Sequence, residues 1–233
     1  MGIETVVSPF LGENCYLVAS PSTGDAVVVD PGVATAGAAG RRIVEQGWRP
    51  VAVLLTHGHP DHVWDAAEVS ATWSIPVYVH RRDEPYLDNP LAGMAPFGLP
   101  TPGLVLGSRP SATWHRPADV RVIDTADDGG AHLAFGDLAF RALACPGHTP
   151  GSTVFEVTGV GPDPAILTGD VLFRDGVGRT DLPGGDRAAM RSSLVSLIRS
   201  FDHSRAILPG HGASSTLGRE VVSSPYLAEA LEV

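Results

Sequence analysis

The sequence is poor in cysteine, in basic charge and in long apolar runs, and each shortage excludes a class of protein. Its 233 residues hold two cysteines, Cys15 and Cys145, far apart in the chain. No disulfide framework of the secreted kind is therefore expected. Lys and Arg number 16 against 26 Asp and Glu, for a net charge of −10. Such a chain is a poor partner for a phosphate backbone, which argues against nucleic acid as a ligand. No uninterrupted apolar run approaches the roughly 18 residues of a membrane span. Met1-Gly2-Ile3-Glu4-Thr5 lacks the basic stretch and apolar core of a signal peptide. Val6 stands where N-myristoylation would want Ser or Thr. A cytoplasmic protein with no membrane attachment is expected. No G-x-S-x-G sequence occurs, so nucleophile-elbow serine chemistry is not read. What remains is an ordinary globular balance, 43% hydrophobic and 18% charged. The length suits one domain over residues 1–233, able to bury about 70% of its unfolded surface.

Strands are predicted at 14–19, 26–30, 51–55, 76–80, 120–123, 131–135, 138–144, 153–157, 165–168 and 205–208, where apolar runs are bounded by Gly, Pro or Asp. Helices are predicted at 36–46, stopped by Gly47, then at 62–73 and 187–200. The last has Asp186 as its N-cap and Met190, Leu194, Leu197, Ile198 and Phe201 on one face. A short final helix is predicted from Ser224-Pro225, a cap followed by proline in the first turn. Mixed strands with intervening helices indicate an α/β (α+β) chain with sheets covered by helices.

The densest chemistry lies in Thr56-His57-Gly58-His59-Pro60-Asp61-His62, between the 51–55 strand and the helix that follows. Imidazole and carboxylate are ligands that zinc and similar metals accept, and a strand-to-helix corner exposes side chains to a cleft. Three further candidates each follow an apolar run broken by Gly or Pro: His148 in Cys145-Pro146-Gly147-His148, Asp170 in Thr168-Gly169-Asp170, and His211 in Pro209-Gly210-His211-Gly212. Such punctuation marks strand ends, and ligands from separate strand ends can converge on one rim of a sheet. Seven donors exceed the roughly four of one tetrahedral ion and suit two ions.

These residues, together with Val28-Val29-Asp30-Pro31-Gly32 and the stretch 146–152, resemble the metallo-β-lactamase superfamily. The runs Gly169-Asp170-Val171-Leu172-Phe173 and Gly178-Arg179-Thr180-Asp181-Leu182-Pro183-Gly184-Gly185-Asp186 are similar to its single-domain, glyoxalase II-like branch. The resemblance covers about residues 3–227. It implies a four-layer αββα sandwich with a metal site at one edge of two facing sheets. It implies two divalent metal ions, zinc first, with iron or manganese also compatible. His57, His59 and His148 would hold one ion, Asp61, His62 and His211 the other, and Asp170 would bridge them. The implied activity is hydrolysis of a thioester, such as an S-acylated small thiol, by a metal-bound hydroxide, with Asp61 and Asp170 as catalytic carboxylates. A thiolate leaving group suits zinc, for which sulfur is a good ligand. The alternatives are a persulfide dioxygenase, which resembles this branch and uses a single iron held by two His and one Asp, and a lactonase. The Leu182-Pro183-Gly184-Gly185 and Pro209-Gly210-His211-Gly212 runs look more like the hydrolases. His59 argues against the di-iron flavoproteins of the superfamily, which carry Glu there. Few residues follow His211, with Arg219 the one basic residue among them, so glutathione contacts from a C-terminal helical region are not expected.

Several residues admit two readings. Asp30 could fix a ligand imidazole from behind or simply shape the turn before Pro31. Arg179 could anchor a substrate carboxylate, but an ion pair with Asp181 is favoured; Arg174 is similarly ambiguous. Cys145 is read as buried packing rather than a redox thiol, and His80 as a structural histidine. His115, His132 and His203 are read as surface or packing residues. Residues 90–118 hold six prolines but only Arg109 and Arg116 as charges, with apolar Met94, Phe97, Leu99, Leu104, Val105, Leu106 and Trp114. That stretch is read as an insertion that is either a lid over the metal cleft or a connection packed on the body. A small-molecule substrate is the expected partner.

Overall fold

Apolar side chains on alternate positions give the central strands of the first sheet two buried faces. The computed structural model describes residues 2–92, 94, 101, 103, 113–125, 130–160 and 164–231. In β2 (Asn14–Ala19), Tyr16 and Val18 face one core while Cys15 and Leu17 face another. In β3 (Asp25–Val29), Val27 and Val29 share the first core and Val28 the second. β4 (Arg49–Leu54) repeats this with Ala52 and Leu54 against Val53. Strands apolar on both faces must be covered on both.

With β1 (Ile3–Val7), β5 (Val77–His80) and β6 (Val120–Ile123) these form a six-stranded sheet in the order β1-β2-β3-β4-β5-β6. The pairs from β3 to β6 are parallel. The second sheet contains β7 (Ala131–Phe135), β8 (Leu138–Ala144), β9 (Thr153–Thr158) and β10 (Ala165–Gly169). A two-stranded hairpin follows, β11 (Leu172–Phe173) and β12 (Gly176–Val177). The second sheet is completed by β13 (Ala206–Pro209) and β14 (Ser215–Thr216), in the order β14-β13-β10-β9-β8-β7. The inner core joins the two sheets face to face, with Phe140, Phe155 and Leu167 from the second meeting Val27 and Leu54 from the first. Helices α1 (Ala36–Gln46), α2 (Pro60–Val63) and α3 (Ala66–Trp73) belong to the first half; Ile43 and Val69 pack α1 and α3 on its outer face. Helices α4 (Arg187–Ser200), α5 (Leu217–Ser223) and α6 (Pro225–Leu231) cover the second sheet through Leu194, Leu197, Leu217 and Leu227. The result is the αββα sandwich that the resemblance implies.

Local differences have identifiable causes. The single helix expected over 62–73 is two pieces, because the Asp65 N–H bonds to the Pro31 carbonyl at 2.9 Å instead of continuing the helical ladder. Asp186 caps α4 as expected, accepting from the N–H groups of Ala188 and Ala189. The final helix starts at Pro225, but the Ser224 hydroxyl is buried without a hydrogen-bond partner and does not cap it. Strands β1, β11, β12 and β14 and helix α5 lie outside the predicted elements; β11, β12 and β14 are two residues long each, and β1 is only partly buried. Met94 is buried and Trp114 donates its indole N–H to the Leu87 carbonyl at 3.0 Å. Phe97, Leu99, Leu104, Val105, Leu106 and Arg109 of the 90–118 stretch lie outside the described residues.

Among the described residues no helix is long and apolar enough to cross a membrane.

Candidate metal centre

Parallel pairing puts the carboxyl ends of β3, β4 and β5 at one edge of the first sheet. The ends of β8, β10 and β13 sit at the matching edge of the second. Asp30 follows β3, His57 to His62 follow β4, His148 follows β8, Asp170 follows β10 and His211 follows β13. All seven sequence-selected donors therefore meet at this edge, and Asp30 and Arg179 border it. The two edges are tied directly. Asn14 N–H bonds to the Gly210 carbonyl at 2.8 Å, Tyr16 Oη donates to the Pro209 carbonyl at 2.8 Å, and Thr153 N–H bonds to the Thr56 carbonyl at 2.8 Å. Gly210 is where close approach leaves no room for a side chain: a Cβ there would lie 2.3 Å from Asp170 Oδ1 and 2.6 Å from His62 Cε1.

The donors fall into two close groups. His57, His59 and His148 form one; Asp61, His62 and His211 form the other, and within each the donor atoms lie within 4.8 Å of one another. Asp170 lies between them, with Oδ1 3.3 Å from His62 Nε2 and Oδ2 3.4 Å from His148 Nε2. His211 Nε2 is 3.2 Å from Asp61 Oδ2 and 3.3 Å from His62 Nε2. Asp30, His57 and His62 also lie close together, but Asp30 is already engaged. Its Oδ1 accepts the Thr56 N–H at 2.7 Å, and its Oδ2 accepts the Thr56 hydroxyl at 2.6 Å and His62 Nδ1 at 3.0 Å. Asp30 thus holds an imidazole from behind. It also occupies the left-handed region at φ 49°, in the turn before Pro31.

Outer hydrogen bonds set which nitrogen each ring turns inward. Thr56 Oγ1 gives its proton to Asp30 and so accepts from His57 Nδ1 at 3.0 Å. The Arg179 carbonyl accepts from His148 Nδ1 at 2.7 Å, and the Leu11 carbonyl from His211 Nδ1 at 3.2 Å. With Nδ1 carrying the proton, Nε2 of His57, His62, His148 and His211 is left for the centre. His59 Nδ1 meets His148 Nε2 at 2.8 Å. Among the described residues, His57 Nε2, His59 Nε2 and Asp170 Oδ1 are buried with no hydrogen-bond partner. Buried nitrogens and carboxylate oxygens arranged in this way fit divalent cations.

The electrostatics agree. Burial, reinforced by neighbouring imidazoles, pushes His57 well below its ordinary value, and burial pushes His59 down to about 3. Burial alone would also lower His62, but Asp170 and Asp61 outweigh it and hold this imidazole well above the usual range. His211 is raised against burial by its hydrogen bond to Asp61. Burial works against ionised Asp61 and Asp170, yet His62 outweighs it and draws both carboxylates below the usual range. The two carboxylates favour positive charge beside them, which a divalent cation would supply.

A cavity of about 510 Å³ opens onto these groups, with Phe10, Leu11, Leu91, Met94, Phe173 and Leu182 among its walls. Leu91 and Met94 belong to the proline-rich stretch. Arg179 is at its border, but its guanidinium is bound to Asp181 at 2.6 and 2.7 Å, the ion pair favoured from the sequence. Arg174 lies 3.8 Å from Asp175. Cys145 is buried, and burial pushes its thiol up to about 12, consistent with packing. His80 contacts Thr125 Oγ1 at 3.1 Å and accepts the Arg82 N–H at 3.2 Å. His203 bonds to the Ile198 carbonyl at 3.0 Å, while His115 and His132 are exposed. Sequence reasoning missed Thr56, the Leu11 and Arg179 carbonyls, and Asp83. Of these only Thr56, adjoining the histidine run, left a local signal.

Comparison with known proteins gives this arrangement its context. The family model described as the metallo-beta-lactamase superfamily matches residues 8–211. Hydroxyacylglutathione hydrolase GloC of Haemophilus influenzae is 32% identical over 231 residues, covering 97% of this chain and 98% of its own. Among solved structures, BLEG-1 B3 metallo-beta-lactamase superposes with a TM-score of 0.78 at 28% identity, covering 97% of this chain and 99% of its own. TTHA1623 in a di-iron-bound form superposes with a TM-score of 0.75 at 32% identity, covering 96% and 100%. With its fold, its edge-borne His and Asp groups and a match over most of its length, the chain belongs to the metallo-β-lactamase superfamily.

Proposed function

We propose that this protein is a metallo-hydrolase that holds two divalent cations and cleaves a thioester of a small thiol, releasing the thiol and a carboxylic acid. The observation that carries the reading is Asp170, whose carboxylate reaches both donor groups: Oδ2 lies 3.4 Å from His148 Nε2 and 3.6 Å from His211 Nε2, and Oδ1 lies 3.3 Å from His62 Nε2. One tetrahedral ion takes about four ligands, so two complete groups sharing a carboxylate form a donor set for two. Imidazole and carboxylate accept zinc, iron or manganese; zinc is our assignment, and the di-iron form of TTHA1623 supports the number of ions more than the element. The name of GloC supports a thioester.

Bound divalent cations supply Lewis acidity, lowering the pKa of water to about 7 and stabilising the developing oxyanion. The chain's own residues do the rest. Asp61, kept ionised by His62, would orient the attacking water. Asp170 keeps the two groups in register. Asp30 and Thr56 hold His62 and His57 with their inner nitrogens free. The apolar walls exclude bulk water from the acyl group. Arg179, committed to Asp181, is not assigned a substrate role.

Elemental analysis paired with thioester hydrolysis tests the proposal. About two ions per chain with release of free thiol is the expected result. One iron per chain, oxygen consumption with a persulfide and no thioester turnover would replace it with the dioxygenase. A lactone and a β-lactam belong in the same panel; turnover of either in place of the thioester would change the substrate class and leave the hydrolase.

A further inference from the structure

Asp83 lies just beyond β5, at the edge that carries the metal centre, and touches none of the seven donors. Its side chain is fully buried. Its Oδ2 accepts the Gly58 N–H at 2.8 Å and the Thr149 hydroxyl at 2.6 Å; its Oδ1 accepts the Gly151 N–H at 2.6 Å. Gly58 separates His57 from His59, and Thr149 and Gly151 follow His148. One carboxylate thus binds both loops that supply the first donor group, from opposite sheets. The fit is tight: a Cβ on Gly58 would lie 2.5 Å from Tyr86 Cβ, and one on Gly151 2.6 Å from the Asp83 nitrogen. The Thr149 hydroxyl that donates to Asp83 is itself bonded to Ser152 Oγ at 2.8 Å, so its direction is fixed. Among the described residues no Arg or His forms an ion pair with Asp83. A buried carboxylate without a counter-ion is costly, and three donors from two loops are what compensates it.

We propose that Asp83 is a positioning residue that locks the two histidine loops together and thereby sets the affinity of the His57–His59–His148 group for a divalent cation. This rests on the reading that the group holds a cation. Burial pushes the Asp83 carboxyl above its usual value, and the hydrogen bonds from Thr149, Gly58 and Gly151 limit that rise. An amide in its place turns one acceptor into a donor facing an N–H or a hydroxyl, which splays the loops apart.

The test is equilibrium titration of the metal-stripped chain with Zn²⁺, and with Co²⁺ to follow the ligand-field spectrum, for the unsubstituted protein, Asp83→Asn and Thr149→Val. Each protein's melting temperature is measured alongside, so that only folded material is compared. Asp83→Asn is expected to weaken one of the two binding steps about 10- to 100-fold, the range for lost outer-shell partners, and to leave the other unchanged. Thr149→Val, which removes one bond of three and is the milder change should Asp83→Asn fail to fold, is expected to weaken the same step several-fold. A lower melting temperature with both binding steps intact in Thr149→Val and Asp83→Asn overturns the inference and makes Asp83 merely structural. Failure of the unsubstituted chain to bind either metal overturns the metal reading itself, and the inference with it.

Discussion

Replacing Asp30 by Asn should cost the second donor group most of its affinity while sparing the backbone. Asn tolerates the left-handed conformation at least as well as Asp, so φ 49° at this position adds no strain. The difference is confined to the carboxylate, where Oδ2 accepts both the Thr56 hydroxyl and His62 Nδ1. If the amide keeps its oxygen towards the Thr56 N–H, its NH₂ faces the His62 Nδ1 proton. His62 must then move that proton to Nε2, the atom 3.3 Å from Asp170, and the inner lone pair is lost. Loss of an outer-shell partner of a metal-binding imidazole costs about 10- to 100-fold in affinity, which is about 1.4 to 2.8 kcal/mol. Folding stability should fall by a further 1.5 to 3 kcal/mol, roughly the worth of a hydrogen bond to a charged group. Cobalt titration of the folded variant reads the first number and urea unfolding of the metal-stripped chain the second. An Asp30→Asn protein that binds two cations within twofold of the unsubstituted chain would refute the reasoning, since Asp30 would then play no part in presenting His62.

Three other outcomes are expected. Asp65 is raised by burial to about 6, so the fold favours its protonated form: its contribution is complete below about pH 4 and is lost as pH rises through 6. Across that window the difference between Asp65→Asn and the unsubstituted chain should shift in favour of the variant by about 3 kcal/mol, read from urea midpoints at pH 4 and pH 7. Gly210→Ala places a methyl against Asp170 and His62; it should abolish thioester turnover and lower stability by about 1 to 3 kcal/mol, and unchanged turnover would contradict the close approach. Asp186→Ala removes the cap of α4 and should cost about 1 kcal/mol by thermal unfolding, with metal content unchanged.

Sheets covered by helices were readable in the strand and helix pattern, the sandwich followed from the family resemblance, and the candidate donors were marked by residue type. His57, His59, Asp61 and His62 crowd one short run, while His148, Asp170 and His211 each stand after an apolar strand broken by Gly or Pro. The strands themselves announced their double burial in runs such as Val27-Val28-Val29. The helix interruption at Asp65 was not readable, because its cause is the carbonyl of Pro31 on another segment. Asp83 was equally silent: an isolated Asp after a strand has no local signature when all its partners are a glycine N–H, a threonine hydroxyl and another glycine N–H from distant loops. The orienting groups at Leu11 and Arg179 are backbone carbonyls, which no side-chain pattern records. Residue identity marks the donors; the groups that aim them are defined only when the two sheets meet.

The division of the donors between the sheets also has a consequence for the order of assembly. His57, His59, Asp61 and His62 leave the ribosome with the first sheet, well before His148, Asp170 and His211 exist. A nascent chain therefore offers four borderline-to-hard donors, on the turn after β4 and the start of α2, with nothing opposite them. A cation captured at that point would sit in a half-built socket and would have to exchange partners when β10 and β13 dock. Until then His57 and His62 can draw on Asp30, which belongs to the same early half and can occupy their outer nitrogens through Thr56 and directly. The histidine run is thus held in its mature orientation by its own half of the molecule, ready for a second half that is made later.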